Sequence, residues 1–181
     1  NLYTLEFYES VRARLAPEGL FLQWLQGYEI DTPTIRTVLQ TAQRAFGHVE
    51  IWETKPDDLV LVCSLTPHEY DLNRLRSRLS EPAYQAAVQF AWRTTSVEGV
   101  LSHFLANEKY VAAVADQQLA AINTDDRNVL EYAFARSLGR RVGGLLATGM
   151  REEARKNYFH RPLRIATAVD WEAVEDQRIA F

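Results

Sequence analysis

Residues 4–25 read TLEFYESVRARLAPEGLFLQWL, and this stretch decides the fold. Its first part places Leu5, Tyr8, Val11 and Leu15 on one face at helical spacing. Thr4 stands where an N-cap belongs, acids follow it, and Pro17-Glu18-Gly19 forms a helix stop and turn. Leu20–Leu25 then barely alternates between apolar and polar, which predicts a strand buried on both faces. An amphipathic helix feeding such a strand is the repeating element of an α/β sheet.

Working outward, Asp31-Thr32-Pro33 opens a second helix over roughly residues 33–46, with Ile35, Val38, Leu39, Ala42 and Phe46 on its core face. Gly47 ends it. Strands over 48–54 and 59–64 follow, and the short joint Lys55-Pro56-Asp57-Asp58 makes them an antiparallel hairpin. Helix, strand, helix, strand and hairpin strand together form the tail of a doubly wound α/β sheet. A sheet of these three strands leaves an unpaired edge at Leu20–Leu25, a liability that proteins rarely leave open. After Pro67 the pattern turns helical, with segments near 71–80, 82–93, 96–106 and 108–119. A longer segment runs over 127–156, with Gly139, Gly143, Gly144 and Gly149 as possible breaks, and 169–174 suits a further short helix. The chain therefore divides into sheet remnant, 1–66, and helical extension, 67–181.

Composition is that of an ordinary globular chain: 181 residues, 47% hydrophobic, 24% charged, which excludes extended disorder. No apolar stretch approaches the length of a membrane span. The opening shows no signal-peptide pattern, and Asn1 in place of Met is what a processed, designed or partial chain is expected to show. A single cysteine, Cys63, excludes an internal disulfide and a thiolate metal cluster, and a cytoplasmic setting fits that usage. Residues 1–64 carry nine acids and five bases, against nucleic acid as a partner and in favour of a cationic ligand. His48, His68, His103 and His160 lack metal-ligand spacing.

Residues 2–64 resemble the spermidine synthase family, aminopropyltransferases built on a methyltransferase-type Rossmann fold. The string LYTLEFYESVRARLAPEGLFLQW carries the resemblance, with Ala45-Phe46-Gly47-His48-Val49 and Leu59-Val60-Leu61-Val62-Cys63-Ser64. In order, these pieces correspond to the family's helix after the fourth strand, the fifth strand, the next helix and the closing hairpin. Farther on, Asn123-Thr124-Asp125-Asp126-Arg127 with Leu130-Glu131-Tyr132 resembles a signature of the long, fused bacterial members. The resemblance implies an α/β fold: the C-terminal half of a Rossmann-like doubly wound sheet followed by a mostly helical extension. It also implies that the glycine-rich loop, the ribose-binding acid and the catalytic base lie ahead of Asn1. The chain alone is then expected to be inactive and to bind no cofactor. Decarboxylated S-adenosylmethionine would be the co-substrate of the full-length parent, and a small cationic amine its acceptor.

Five residues are candidates for amine binding. Gln23 falls at a family glutamine on the fifth strand, where its amide could accept from an ammonium without the desolvation cost of a full charge. It could equally be a buried Gln satisfied by backbone. Trp24, beside it, is expected to pack in the core. Tyr28 lies just past the strand end, where open α/β sheets bind ligands, or is an exposed loop residue. Glu53 aligns near a family tyrosine of the polyamine site and could pair with an amine, or is a solvated hairpin acid with Asp57 and Asp58. Asp125 and Asp126 could point to the active site, or serve as cap and first-turn acids of the following helix. Arg140, Arg141, Arg151, Arg155 and Lys156 read as a solvated basic face, diluted by Glu152 and Glu153.

Two other functions compete with aminopropyl transfer. One is methyl transfer, which uses the same sulfonium leaving group. The other is a helical protein-interaction module resting on a non-catalytic Rossmann remnant. The truncated sheet also predicts a homo-oligomer.

Overall fold

A computed structural model describes residues 2–27, 30–117, 120–131 and 146–179. The elements are α1 (Leu5–Arg12), β1 (Leu20–Gln26), α2 (Thr32–Phe46), β2 (His48–Lys55), β3 (Asp58–Ser64), α3 (Leu72–Leu79), α4 (Pro82–Trp92), α5 (Val97–Leu101), β4 (Phe104–Ala106), α6 (Glu108–Asp116), α7 (Leu146–Lys156) and α8 (Trp171–Ile179). Local chemistry sets the boundaries. The Thr4 hydroxyl accepts from the Phe7 N–H at 3.3 Å and starts α1. A carboxylate oxygen of Asp31 does the same for α2 through the Thr34 N–H at 2.9 Å, with Pro33 in the first turn. Gly47 ends α2 at φ 83°, a backbone setting that costs a side-chain-bearing residue more.

The four strands lie in the order β1-β3-β2-β4, and every neighbouring pair is antiparallel. Since β3 opposes both β1 and β2, those two run parallel, joined by α2, with the returning hairpin strand between them. One face carries Leu25, Val49, Ile51, Leu59, Leu61 and Cys63, all buried under α1 and α2. Tyr8, Phe21 and Phe46 interlock there, with Phe21 stacked on Phe46 at 5.6 Å between centroids. Cys63 is buried as expected, and desolvation pushes its thiol up to about 12.

Two expectations need correction. The segment expected to be helical over 96–106 ends its helix at Leu101, and Phe104–Ala106 instead forms β4 on the free side of β2. Only a few ladder bonds hold so short a strand, each worth about 1 kcal/mol. Burial of Phe104 and Leu105, about 2 kcal/mol apiece, therefore dominates its attachment. Residues on both sides of residue 66 share the larger core. Leu105, Tyr110, Val111, Leu130, Met150 and Ala154 from the extension join the same cluster as α2 and the sheet. The second correction is that β1 is not buried on both faces: Leu20, Leu22 and Trp24 are 43%, 60% and 48% exposed, so Trp24 is not a core residue. Toward β2 and β4 this face of the sheet is covered: Trp52 packs edge-on to Phe104 and joins a smaller core of Leu72, Leu101 and Val174. Among the described residues β1 pairs with β3 alone.

Candidate functional site

The parallel strands β1 and β2 end on the same side of the sheet, where open α/β sheets bind ligands. The hairpin tip closes over that end. The Gly27 N–H donates to the Asp57 carbonyl at 2.7 Å, and a Cβ at Gly27 would meet that oxygen at 2.5 Å. Asp57 sits at φ 62° and takes the Ala147 N–H at 3.3 Å, which ties α7 to the tip.

Glu53 lies on this end of β2, and it is not a solvated acid. It is buried, accepts from the Asp57 N–H at 2.9 Å and forms a close ion pair with Arg151 of α7. Its charge is already matched inside the protein. On the basic face expected of α7, Arg155 pairs with Glu175 of α8 but stays exposed, as does Lys156; Arg140 and Arg141 lie outside the described residues. Burial, then the neighbouring Arg155, lower the pKa of Arg151.

Gln23 is half-buried near the open edge. Its amide N–H donates to the Trp24 carbonyl at 3.1 Å, and the Tyr3 hydroxyl donates to the same oxygen at 3.2 Å. Burial raises the Tyr3 phenol. In the ladder Gln23 opposes Leu61, which opposes Ile51, so Gln23 and Glu53 are two strands and two residues apart. That is about 12 Å by strand spacing and rise. Tyr28 lies outside the described residues.

The Asn123–Asp126 loop reaches the same edge as Gln23 through Tyr3. Asn123 is buried and bonded on every side. Its N–H donates to the Thr41 hydroxyl at 3.0 Å, and its carbonyl accepts from Leu5 at 2.8 Å. Its amide donates to the Tyr3 carbonyl at 3.1 Å and accepts from Leu130 at 3.3 Å. Asp125 donates its N–H to the Glu6 carboxylate at 3.0 Å, and both Asp125 and Asp126 are exposed. The side-chain oxygen of Asn128, through the Glu131 N–H at 3.2 Å, takes the capping position expected of the aspartates. The structure thus gathers Gln23, Tyr3 and the aspartate loop around the β1 edge and leaves Glu53 apart.

Sequence reading missed two polar clusters on the other face. Glu50 is buried on β2 against the Tyr70 hydroxyl, and desolvation pushes its carboxyl up to about 7. Glu108 takes His48 and, at 2.8 Å, Arg164. Burial would raise Glu108, but the hydrogen bonds from His48 and Arg164 outweigh it and hold the carboxyl low. In the second cluster His103 bonds the Glu53 carbonyl through Nδ1 at 2.9 Å and stacks on Trp92 at 4.3 Å. Desolvation and the charge of Arg178 bring its imidazole down to about 4. No motif spacing marks either cluster, because their members come from distant elements.

Among the described residues no group of three or more His, Cys, Asp and Glu side chains could hold a metal, and no helix is long and apolar enough to cross a membrane. What fold and site define is a mixed α/β protein with an antiparallel four-stranded sheet and a polar cluster at its open edge. The chain matches no known protein-family model, no curated protein and no solved structure.

Proposed function

We propose that residues 1–64 are the closing part of a Rossmann-type sheet of the spermidine synthase kind. The protein they serve would transfer an aminopropyl group from decarboxylated S-adenosylmethionine to a small cationic amine. One observation carries this reading: β1-α2-β2 is a parallel crossover unit with β3 returning between its strands, and it ends at an unpaired β1 edge beside Gln23. Further parallel strands would join at that edge. Gln23 and the Asp125-Asp126 loop would then border the crevice at the strand ends, where a carboxamide and carboxylates suit an ammonium. In the reaction a carboxylate from the joining part takes a proton from the amine. The amine nitrogen attacks the carbon beside the sulfonium, and the thioether leaves. Positioning is the main contribution of residues 1–64. Glu53 has no part in amine binding in this scheme, because Arg151 holds it.

The test is an assay of the natural polypeptide carrying these residues, with decarboxylated S-adenosylmethionine and diamine or triamine acceptors. An aminopropylated product supports the reading. A product methylated from S-adenosylmethionine instead would establish the methyl-transfer alternative. Residues 1–181 alone are expected to show no calorimetric binding of either sulfonium compound, and a micromolar constant would overturn the assignment of that site to the joining part. The interaction-module reading has its own support in the exposed Leu20, Leu22 and Trp24, and it gains if the natural polypeptide transfers neither group.

A further inference from the structure

A cavity of about 320 Å³ lies between the end of α4, α5, β4 and α8, bordered by Trp92, Arg93, Thr94, Ser102, His103 and Gln177. That volume is at the small end for a metabolite site. Its walls are fixed. The Trp92 indole N–H donates to the Thr54 carbonyl at 3.0 Å while the ring stacks on His103, so the two rings hold each other in place. Thr94 and Gln177 are joined at 3.2 Å, and a Cβ at Gly99 would collide with both, so this wall packs directly on α5 backbone.

The formal charge carried by the lining is positive. Arg93 is the lone formally charged residue of this lining, and among the described residues its guanidinium has no carboxylate partner. Arg178 stands behind the wall, donating to the Ser102 and Phe104 carbonyls at 3.0 and 2.9 Å, and its charge depresses His103. Its nearby acid, Glu175, is shared with Arg155. Hydroxyls of Thr94 and Ser102 and the Gln177 amide supply neutral polar groups. Arg93 itself is held in the left-handed conformation, φ 53° and ψ 28°, at the end of α4. A side-chain-bearing residue adopts that geometry at a cost, where glycine would not.

We propose that this cavity binds a small metabolite with a flat apolar body and one anionic group, carboxylate or phosphate. The body lies along the Trp92–His103 wall and the anion meets Arg93. The site stands on different residues from the amine crevice and does not depend on that reading.

The chain labelled with ¹⁵N is titrated with sodium benzoate and with phenyl phosphate, benzyl alcohol being the uncharged control, while the Trp92 indole N–H resonance is followed. A saturable shift with at least one anion, and none with the alcohol, is expected. The anion that binds more tightly identifies the headgroup. Arg93→Gly keeps the left-handed backbone, and glycine is favoured there, so the variant should fold. It should weaken the anion by about tenfold or more, the loss of one charge-assisted hydrogen bond. No saturable shift with either anion, or equal affinity in Arg93→Gly, overturns the proposal.

Discussion

Arg151 on α7 closes an ion pair with Glu53 on β2 across 98 residues of sequence, with side-chain exposures of 26% and 5%. The carboxylate is the deeper partner, so the two ends of the pair are not equivalent. Removing the arginine alone leaves a buried charge uncompensated, which costs about 3 kcal/mol or more. Arg151→Ala should therefore lower the urea midpoint strongly. Glu53→Gln with Arg151→Met should recover most of the loss, because the amide oxygen can still accept from Asp57 and no charge is stranded. An Arg151→Ala protein as stable as the parent would show that water already screens the pair.

Asn123 supplies the second prediction. It joins Thr41 of α2, Tyr3, the start of α1 and Leu130 in one buried node. Its side chain accounts for the bonds to the Tyr3 carbonyl and the Leu130 N–H, so Asn123→Ala leaves both unsatisfied at about 1–3 kcal/mol each. Asp126→Ala, at an exposed neighbour, should stay within about 0.5 kcal/mol. Chemical denaturation of the two variants compares them. Equal effects would remove the structural reading of the Asn123 node and return weight to the aspartates.

The element boundaries of residues 4–64 were legible because they rest on local chemistry: caps at Thr4 and Asp31, the stop at Gly47 and the tight joint at Pro56-Asp57. The exposure of Leu22 and Trp24 was not, since an apolar run fits a two-faced strand whether or not something covers it. β4 was missed for a related reason. Phe104-Leu105-Ala106 follows a helical run and has too few residues for a period of two to register. The Glu53–Arg151 and Asn123–Thr41 contacts join segments 98 and 82 residues apart, a relation that no spacing rule within one element can express.

The buried acid on β2 and the buried histidine beside it predict opposed pH dependences. Glu50 has its carboxyl raised to about 7, so the fold favours its protonated form. Its contribution is complete below the ordinary carboxyl range and is lost as pH rises toward 7. His103 is lowered to about 4, so the fold favours the neutral ring, and its contribution is lost as pH falls from about 6.5 toward 4. Between those limits the two trends oppose each other. Glu50→Gln should therefore make stability rise more steeply with pH over that window than in the parent, and His103→Gln should flatten or reverse the rise. Thermal melts from pH 4 to 8 read both slopes, and parallel curves for parent and Glu50→Gln would show that Glu50 titrates normally. Tyr70, Glu108 and Arg164 face Glu50 from the neighbouring elements and are unchanged in both variants.

The last prediction concerns β1. This strand, LFLQWLQ, holds no charged residue and no proline, the devices by which edge strands avoid pairing. Among the described residues it pairs on one side only, and Leu20, Leu22 and Trp24 project from one face. Opposed residues of an antiparallel pair share a face. If two β1 strands pair with even-numbered residues opposite even-numbered ones, the three exposed side chains of each copy form one continuous apolar surface. The odd register would split them between faces, so the even one is favoured. The Tyr3 hydroxyl and the Gln23 amide hold the Trp24 carbonyl and must release it, which weakens pairing at that end. Residues 1–181 should accordingly form a two-fold dimer through β1 at micromolar concentration. Leu22→Lys together with Trp24→Lys should give a monomer, because two ammonium groups from each copy would meet across the joint. Light scattering decides the matter: a parent species of 20.7 kDa that does not change with concentration sinks the dimer. Persistent association of the double-lysine variant would move the interface away from β1.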